Sequence, residues 1–136
     1  MKGDSYRPDK MLRIPSSFDS DFFYNFVLFL RPFHGLTPKE MELLAAFIRK
    51  RQEFKEKTGD EGLSDKLVMS DTVKREIREE CGLTPQHYQG IVRTLKSKGA
   101  IQSGRINPKF IPVINENIKH FDLLIRFDRD DRQQTD

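Results

Sequence analysis

The chain has no tryptophan, one cysteine and no apolar run long enough to cross a bilayer. A lone Cys81 excludes an intramolecular disulfide and a cysteine-rich zinc site. The longest apolar stretch, residues 22–30, is interrupted by Asn25 and is much shorter than the roughly 20 residues of a membrane span. It also lacks the basic leader and cleavage site of a secretory signal. We therefore expect a cytoplasmic protein whose 136 residues form one domain with short appendages and do not enter a membrane.

Acidic residues are missing from one long window of the sequence. Residues 81–115 contain no Asp or Glu, although the whole chain has 21 acidic and 24 basic residues. The net charge of +3 is therefore unevenly distributed, and this window is where a polyanion is expected to bind. Its cations are Arg93, Lys96, Lys98, Arg105 and Lys109.

Residues 1–35 combine a polar arm with a segment rich in phenylalanine. Residues 1–10 show no periodicity and predict a flexible arm. From Phe22 to Leu30 the apolar residues recur at spacings of three and four, which predicts a helix that ends before Pro32, with a strand as the alternative. The phenylalanines are expected either to join the core or to form a surface for a partner or a second subunit.

A long helix is predicted to begin after Thr37. Pro38 suits the first helical position, and Glu40 completes a capping box with Thr37. Apolar residues continue at helical spacing to about Lys57. Residues 58–62 contain two glycines and two acidic residues, and they predict a turn.

Two shorter helices joined by a tight turn are predicted next. Ser70 can cap the first of them, and Gly82 is expected to end it. Thr84 and Pro85 form the cap and first position of the second helix, for which Gly99 is the stop signal. Helix, short turn and helix in this order are typical of a helix-turn-helix.

The remaining sequence predicts a hairpin and an extension. In residues 100–112, short apolar groups are separated by turn formers, as in two short strands. Residues 114–127 fit a helix that continues into a strand, and residues 128–136 predict a disordered charged tail. The expected fold class is mainly α with some β, a winged helix-turn-helix of three helices and a short hairpin wing. Its expected parts are residues 1–35, the arm and Phe-rich segment, residues 36–112, the winged-helix domain, and residues 113–136, the carboxyl-terminal extension.

Four motifs in the predicted domain occur in a familiar order: Leu36-Thr37-Pro38-Lys39-Glu40, Glu80-Cys81-Gly82-Leu83-Thr84, Leu95-Lys96-Ser97-Lys98-Gly99-Ala100-Ile101 and Asn107-Pro108. Together they resemble winged-helix DNA-binding domains. The likeness is nearest to plasmid and phage replication initiators of the RepL type and to bacterial transcription regulators. In these families Gly-Leu-Thr opens the recognition helix, and Leu-x-x-x-Gly-x-Ile leads into the wing. The resemblance implies a role in replication initiation or transcription regulation.

The second helix of a helix-turn-helix presents its early residues to base edges in the major groove. Gln pairs well with adenine and Arg with guanine, whereas contacts to phosphate set affinity without reading sequence. We therefore predict double-stranded DNA as the partner of a homodimer or larger assembly. The expected base-reading residues are Thr84, Gln86, His87, Gln89 and Arg93. The expected phosphate-binding residues are Lys96, Lys98, Arg105 and Lys109.

The sequence offers little for catalysis. His34, His87 and His120 lack metal-ligand spacing, and no glycine-rich phosphate loop is present. His34 beside its proline turn predicts a structural role, and Cys81 predicts a small buried apolar residue. We expect a non-enzymatic protein without metal or cofactor, of phage or plasmid type. The alternative is a structural or adaptor subunit of a phage particle or packaging assembly, located in the virion, with the winged helix contacting protein.

Overall fold

The computed structural model describes residues 9–17, 20–114 and 117–130. In this part of the chain six helices and a two-stranded antiparallel sheet are present, so the predicted mainly α class is confirmed. Among the described residues, no helix combines the length and the apolar character needed to span a bilayer. The helices are α1 Ser20–Phe29, α2 Arg31–His34, α3 Pro38–Thr58, α4 Glu61–Val68, α5 Asp71–Glu80 and α6 Pro85–Ser97. The strands are β1 Ile101–Gln102 and β2 Arg105–Ile106, and a 3₁₀ turn spans Pro108–Phe110.

The start of α3 confirms the predicted capping box. The Glu40 amide donates to the hydroxyl of Thr37 at 3.4 Å, and the Thr37 amide donates to the carboxylate of Glu40 at 2.9 Å. The helix ends at Thr58, and the Gly59 that follows it has a left-handed φ of 69°. Local hydrogen bonding alone therefore determines where the longest helix begins.

Helix α3 is the centre of the core. It contacts α1, α4, α5 and α6, and its apolar side chains are buried in nearly every direction. A helix surrounded by other helices buries most of its circumference instead of one stripe. The fully buried residues of α3 are Met41, Leu43, Leu44, Phe47 and Ile48.

The Phe-rich segment packs on α3 as part of the same core. The predicted helix is present as α1, and its Phe22, Phe23 and Phe26 are buried in the core, which is one of the two expected arrangements. Pro32 then opens the short helix α2, which the sequence did not predict. His34 of α2 is buried, and its ring bonds the Val27 carbonyl at 2.8 Å and the Leu36 amide at 2.9 Å. The predicted structural role of His34 is confirmed.

Helix α4 corrects the prediction of a turn over residues 58–62. Asp60 caps it by accepting from the Leu63 amide at 3.0 Å, so the helix already includes Gly62. Only Ser64 and Val68 of this helix are buried. Because the inner face uses a serine where a large apolar group is usual, helical periodicity gave no signal there.

The predicted helix pair and hairpin are present. Ser70 caps α5, and Thr84 caps α6 by accepting from the His87 amide at 3.1 Å. The hairpin pairs Ile101 with Ile106 and Gln102 with Arg105. Its two-residue turn, Ser103-Gly104, has φ values of 53° and 74°, as the hairpin-compatible mirror-image turn requires. Asn107 then bonds the Gly99 and Ala100 carbonyls and so fastens the hairpin to the end of α6.

The carboxyl-terminal prediction is wrong in its secondary structure. Residues 111–114 and 117–130 contain neither helix nor strand. Asn is a weak helix former, and a strand without a partner has no ladder to join. Residues 9–17 and 128–130 are exposed and irregular, while the rest of the predicted arm and charged tail, residues 1–8 and 131–136, lies outside the described residues.

Candidate nucleic-acid interface

The carboxylates of Glu76 and Glu80 lie on the flank of α5 that faces α3. Glu80 forms an ion pair with Arg49 of α3, and Glu76 lies 3.9 Å from Lys50 of the same helix. Burial lowers the pKa of the Arg49 guanidinium, but Glu80 and Glu53 outweigh this effect and raise the pKa above its ordinary value. Glu76 and Glu80 are thus paired with α3, while on the other flank Arg78 lies 3.8 Å from Glu79, and Lys74 and Arg75 form no ion pair among the described residues.

Those cations line a cleft between α5, α6 and the hairpin turn. The cleft has a volume of about 330 Å³, and a single carboxylate, Asp71, reaches it. Apolar side chains from α3, α6 and β1 form its floor, and we call it the cationic cleft. Its basic residues are Lys74, Arg75, Arg78 and Lys96, and its floor includes Phe47, Met69, Tyr88, Val92 and Ile101.

Tyr88 and Arg78 can each contribute hydrogen-bond donors to the cleft. Burial raises the pKa of the Tyr88 hydroxyl against the opposing effect of Arg78, so the phenol is neutral and can donate a hydrogen bond. Arg78 donates to the Leu83 carbonyl at 2.9 Å, which braces the turn between α5 and α6. Lys74, Arg75 and Lys96 form no ion pair within the part of the chain described, so their charges remain available to a ligand.

Four of the predicted site residues share one strip of α6. Gln86, Gln89, Arg93 and Lys96 follow one another at spacings of three, four and three, and all are exposed. Gln89 and Lys96 also line the cationic cleft. The strip joins candidate base-reading groups to candidate phosphate-binding groups.

The other two candidate base-reading residues lie off this strip. The hydroxyl of Thr84 accepts the His87 amide as a helix cap, so it already has a structural contact. His87 is exposed but lies about 100° around the helix from Gln86. The structure therefore does not bring Thr84 and His87 together with the α6 strip.

The remaining predicted phosphate-binding residues are dispersed. Lys98 donates to the Gly35 carbonyl at 2.8 Å, in the loop before α3. Arg105 lies 3.8 Å from Asp65 of α4, and Lys109 is exposed on the 3₁₀ turn. The cations of the acid-free window thus do not form a single patch: Lys96 alone among them lines the cleft, and Arg93 shares the α6 strip with it.

Sequence reasoning missed Lys74, Arg75 and Arg78. They belong to a stretch whose total charge is close to neutral, because acidic and basic residues of α5 cancel when they are counted along the chain. The available signal was the helical spacing of Lys74 and Arg78, four residues apart and away from Glu76 and Glu80.

The described residues contain neither a candidate metal site nor an exposed cysteine thiol. No group of three His, Cys, Asp or Glu side chains lies close enough there to hold a metal ion. Burial raises the pKa of the Cys81 thiol to about 11, and Glu42 and Glu80 act in the same direction. Cys81 is therefore a protonated, buried thiol at neutral pH, which confirms its prediction as a small apolar residue.

No protein-family model, curated protein or solved structure matches this chain. The assignment of the site therefore depends on the cationic cleft and on the α6 strip beside it.

Proposed function

We propose that the chain binds double-stranded DNA through a winged helix-turn-helix made of α5, α6 and the following hairpin. The observation that supports this most directly is the cationic cleft, where four basic side chains meet one acid beside the exposed strip of α6. Phosphate groups supply much of the affinity in such interfaces, and Lys74, Arg75 and Lys96, which form no ion pair among the described residues, would attract them. The close succession of α5, a short turn, α6 and a hairpin agrees with this proposal.

In the proposed complex, α6 enters the major groove with its exposed strip facing the bases. Gln86 and Gln89 would pair with adenine and Arg93 with guanine, each good pair contributing roughly 1–3 kcal/mol of discrimination. One phosphate strand crosses the cationic cleft, held by Lys96 and by the cations of α5. Thr84 and His87 lie off this strip, so no base contact is assigned to them in the proposed complex.

The biological role that fits this surface is replication initiation or transcription regulation in a phage or plasmid. The protein would act without catalysis, in the cytoplasm of a bacterial cell. Lys109 would contact phosphate beyond the hairpin. Lys98 and Arg105 instead support the structure through Gly35 and Asp65.

The test is a salt titration of duplex binding by the Arg75→Ala/Lys96→Ala double variant. Each lost phosphate contact lowers the slope of log affinity against log salt by about 0.9. The double variant should therefore bind roughly 50-fold more weakly near 0.1 M salt, with a slope smaller by about two. Fluorescence anisotropy of a labelled mixed-sequence duplex measures both.

The matched control is Lys57→Ala/Lys66→Ala, which removes the same charge from exposed positions of α3 and α4. Equal affinities of the two double variants at low salt would reject the cationic cleft as the DNA site. Selection of duplexes from a random pool then identifies the sequence that the α6 strip reads.

A second candidate function is an adaptor subunit of a phage particle or packaging assembly. It is favoured by apolar side chains that the fold leaves in solvent on α1 and α2, where Phe29 is 48% and Phe33 is 61% exposed. Exposed large apolar side chains can mark a protein contact. A large ring or filament that does not bind DNA would favour this candidate over the first.

A further inference from the structure

The segment from Phe121 to Asp128 has the residue pattern of a strand but no strand partner within the described chain. Phe121, Leu123, Ile125 and Phe127 alternate with other residues along it. Such a period of two is typical of a strand with one apolar face. The structure nevertheless assigns no strand here, which poses the question of what would pair with this segment.

The segment is attached to the core by one aromatic side chain. The Phe121 ring packs edge-on against Phe22 at 5.5 Å and Phe26 at 5.6 Å, both in α1. Beyond Phe121 the apolar side chains are largely in solvent, with exposed fractions from 41% to 95%. They are Leu123, Leu124, Ile125 and Phe127. An exposed apolar segment that belongs to no sheet can pair with a strand of another chain.

The sequence of the segment is complementary to itself in one antiparallel register. With Leu124 on a twofold axis, Asp122 lies opposite Arg126 of a second copy. In the same register Phe121 lies opposite Phe127, and Leu123 lies opposite Ile125. Opposite charges and large apolar pairs directly across a sheet are both stabilising.

Neighbouring registers are less favourable. Centring the pair on Leu123 places Asp122 opposite Leu124, so that neither Asp122 nor Arg126 has a partner of opposite charge. Centring it on Ile125 places Asp122 opposite Asp128. Like charges directly opposite each other destabilise a strand pair. A shift by a single residue places charged groups opposite apolar ones, because it exchanges the two faces. Charge complementarity therefore selects the register centred on Leu124.

We propose that two copies of the chain associate by pairing residues 121–128 as antiparallel strands about Leu124, with the apolar face of the ribbon covering α1. A two-stranded ribbon is only marginally stable alone and needs a surface to pack on. Helix α1 supplies one, since Phe29 lies one helical turn beyond Phe26 on the flank that Phe121 contacts, and it is 48% exposed. This inference is independent of DNA binding. The resulting twofold symmetry would also present two copies of α6.

A charge exchange tests the pairing through the mass of the full-length protein in solution. Wild type should be a dimer at micromolar concentrations in sedimentation equilibrium. Asp122→Arg places Arg opposite Arg126 at both ends of the ribbon and should weaken dimerisation at least tenfold. The double variant Asp122→Arg/Arg126→Asp restores opposite charges and should recover the dimer. A monomeric wild type, or a double variant as weak as the single one, would overturn the proposal.

A disulfide tests the register. In an antiparallel pair, only the residue on the twofold axis lies opposite itself, with Cα atoms about 5 Å apart, within reach of a disulfide. Leu124→Cys should therefore cross-link under mild oxidation. Asp122→Cys should not, since its two copies would be about 13 Å apart. Wild type controls for Cys81, which is buried. Cross-linking of the Asp122 variant without the Leu124 variant would contradict this register.

Discussion

Arg51 in α3 donates a 2.7 Å hydrogen bond to the carboxylate of Asp65 in α4. The guanidinium of Arg51 is almost completely buried, and the second oxygen of Asp65 lies 3.8 Å from Arg105 in β2. Glu61, the other acidic contact of Arg51, is 70% exposed. Asp65 is therefore the group that balances a buried charge and at the same time ties α4 to the hairpin.

We expect Asp65→Ala to lower the free energy of unfolding by roughly 3 kcal/mol, because it leaves the Arg51 charge buried without its close partner. Glu61→Ala removes an exposed and more distant carboxylate and should cost less than about 1 kcal/mol. Urea unfolding of both variants measures the difference. Similar losses in the two would contradict the central role of Asp65.

Substitutions of Arg93 and Lys98 should distinguish a residue that binds DNA from one that stabilises the fold. Arg93→Ala removes an exposed group of the α6 strip and should weaken binding to a selected duplex roughly tenfold with unchanged stability. Lys98→Ala removes the hydrogen bond to Gly35, which should cost about 1 kcal/mol of stability and leave duplex affinity within about twofold. Anisotropy and thermal unfolding of each variant give the two readouts. A loss of affinity in Lys98→Ala equal to that in Arg93→Ala would place a phosphate contact at Lys98.

We expect the buried thiol of Cys81 to lower the free energy of unfolding at alkaline pH. Because burial raises the pKa of its thiol from 9.0 to about 11, the folded state holds the proton more tightly than the unfolded state does. This contribution is complete below pH 9 and is lost as the pH rises from 9 to 11. Urea midpoints between pH 7.5 and 10.5 should therefore fall more steeply for wild type than for Cys81→Ala. Parallel pH dependences would show that the thiol is not protected in the folded protein.

Helix starts, helix ends and the hairpin turn were predictable because they depend on neighbours within four residues. Thr37, Ser70 and Thr84 each accept an amide three residues ahead, as their sequences indicated. Gly82 has a left-handed φ of 65°, which the turn between α5 and α6 requires and which depends only on neighbouring residues. Helix α4 was missed because its inner face relies on Ser64 and on the pair of Arg51 with Asp65, and neither has an apolar period.

In the candidate site too, one part follows from the sequence and another part depends on tertiary packing. The exposed strip of Gln86, Gln89 and Arg93 follows from helical spacing, so the sequence by itself determined it, together with the order of helices and hairpin. Only tertiary packing decided which cations lack an ion-pair partner among the described residues. Arg49 and Lys50 of α3 lie close to the acidic residues of α5. Lys98 donates to the Gly35 carbonyl, and Arg105 lies close to Asp65. The physical reason is that charge acts through space, so a count along the chain adds groups that the fold places on opposite sides of a helix.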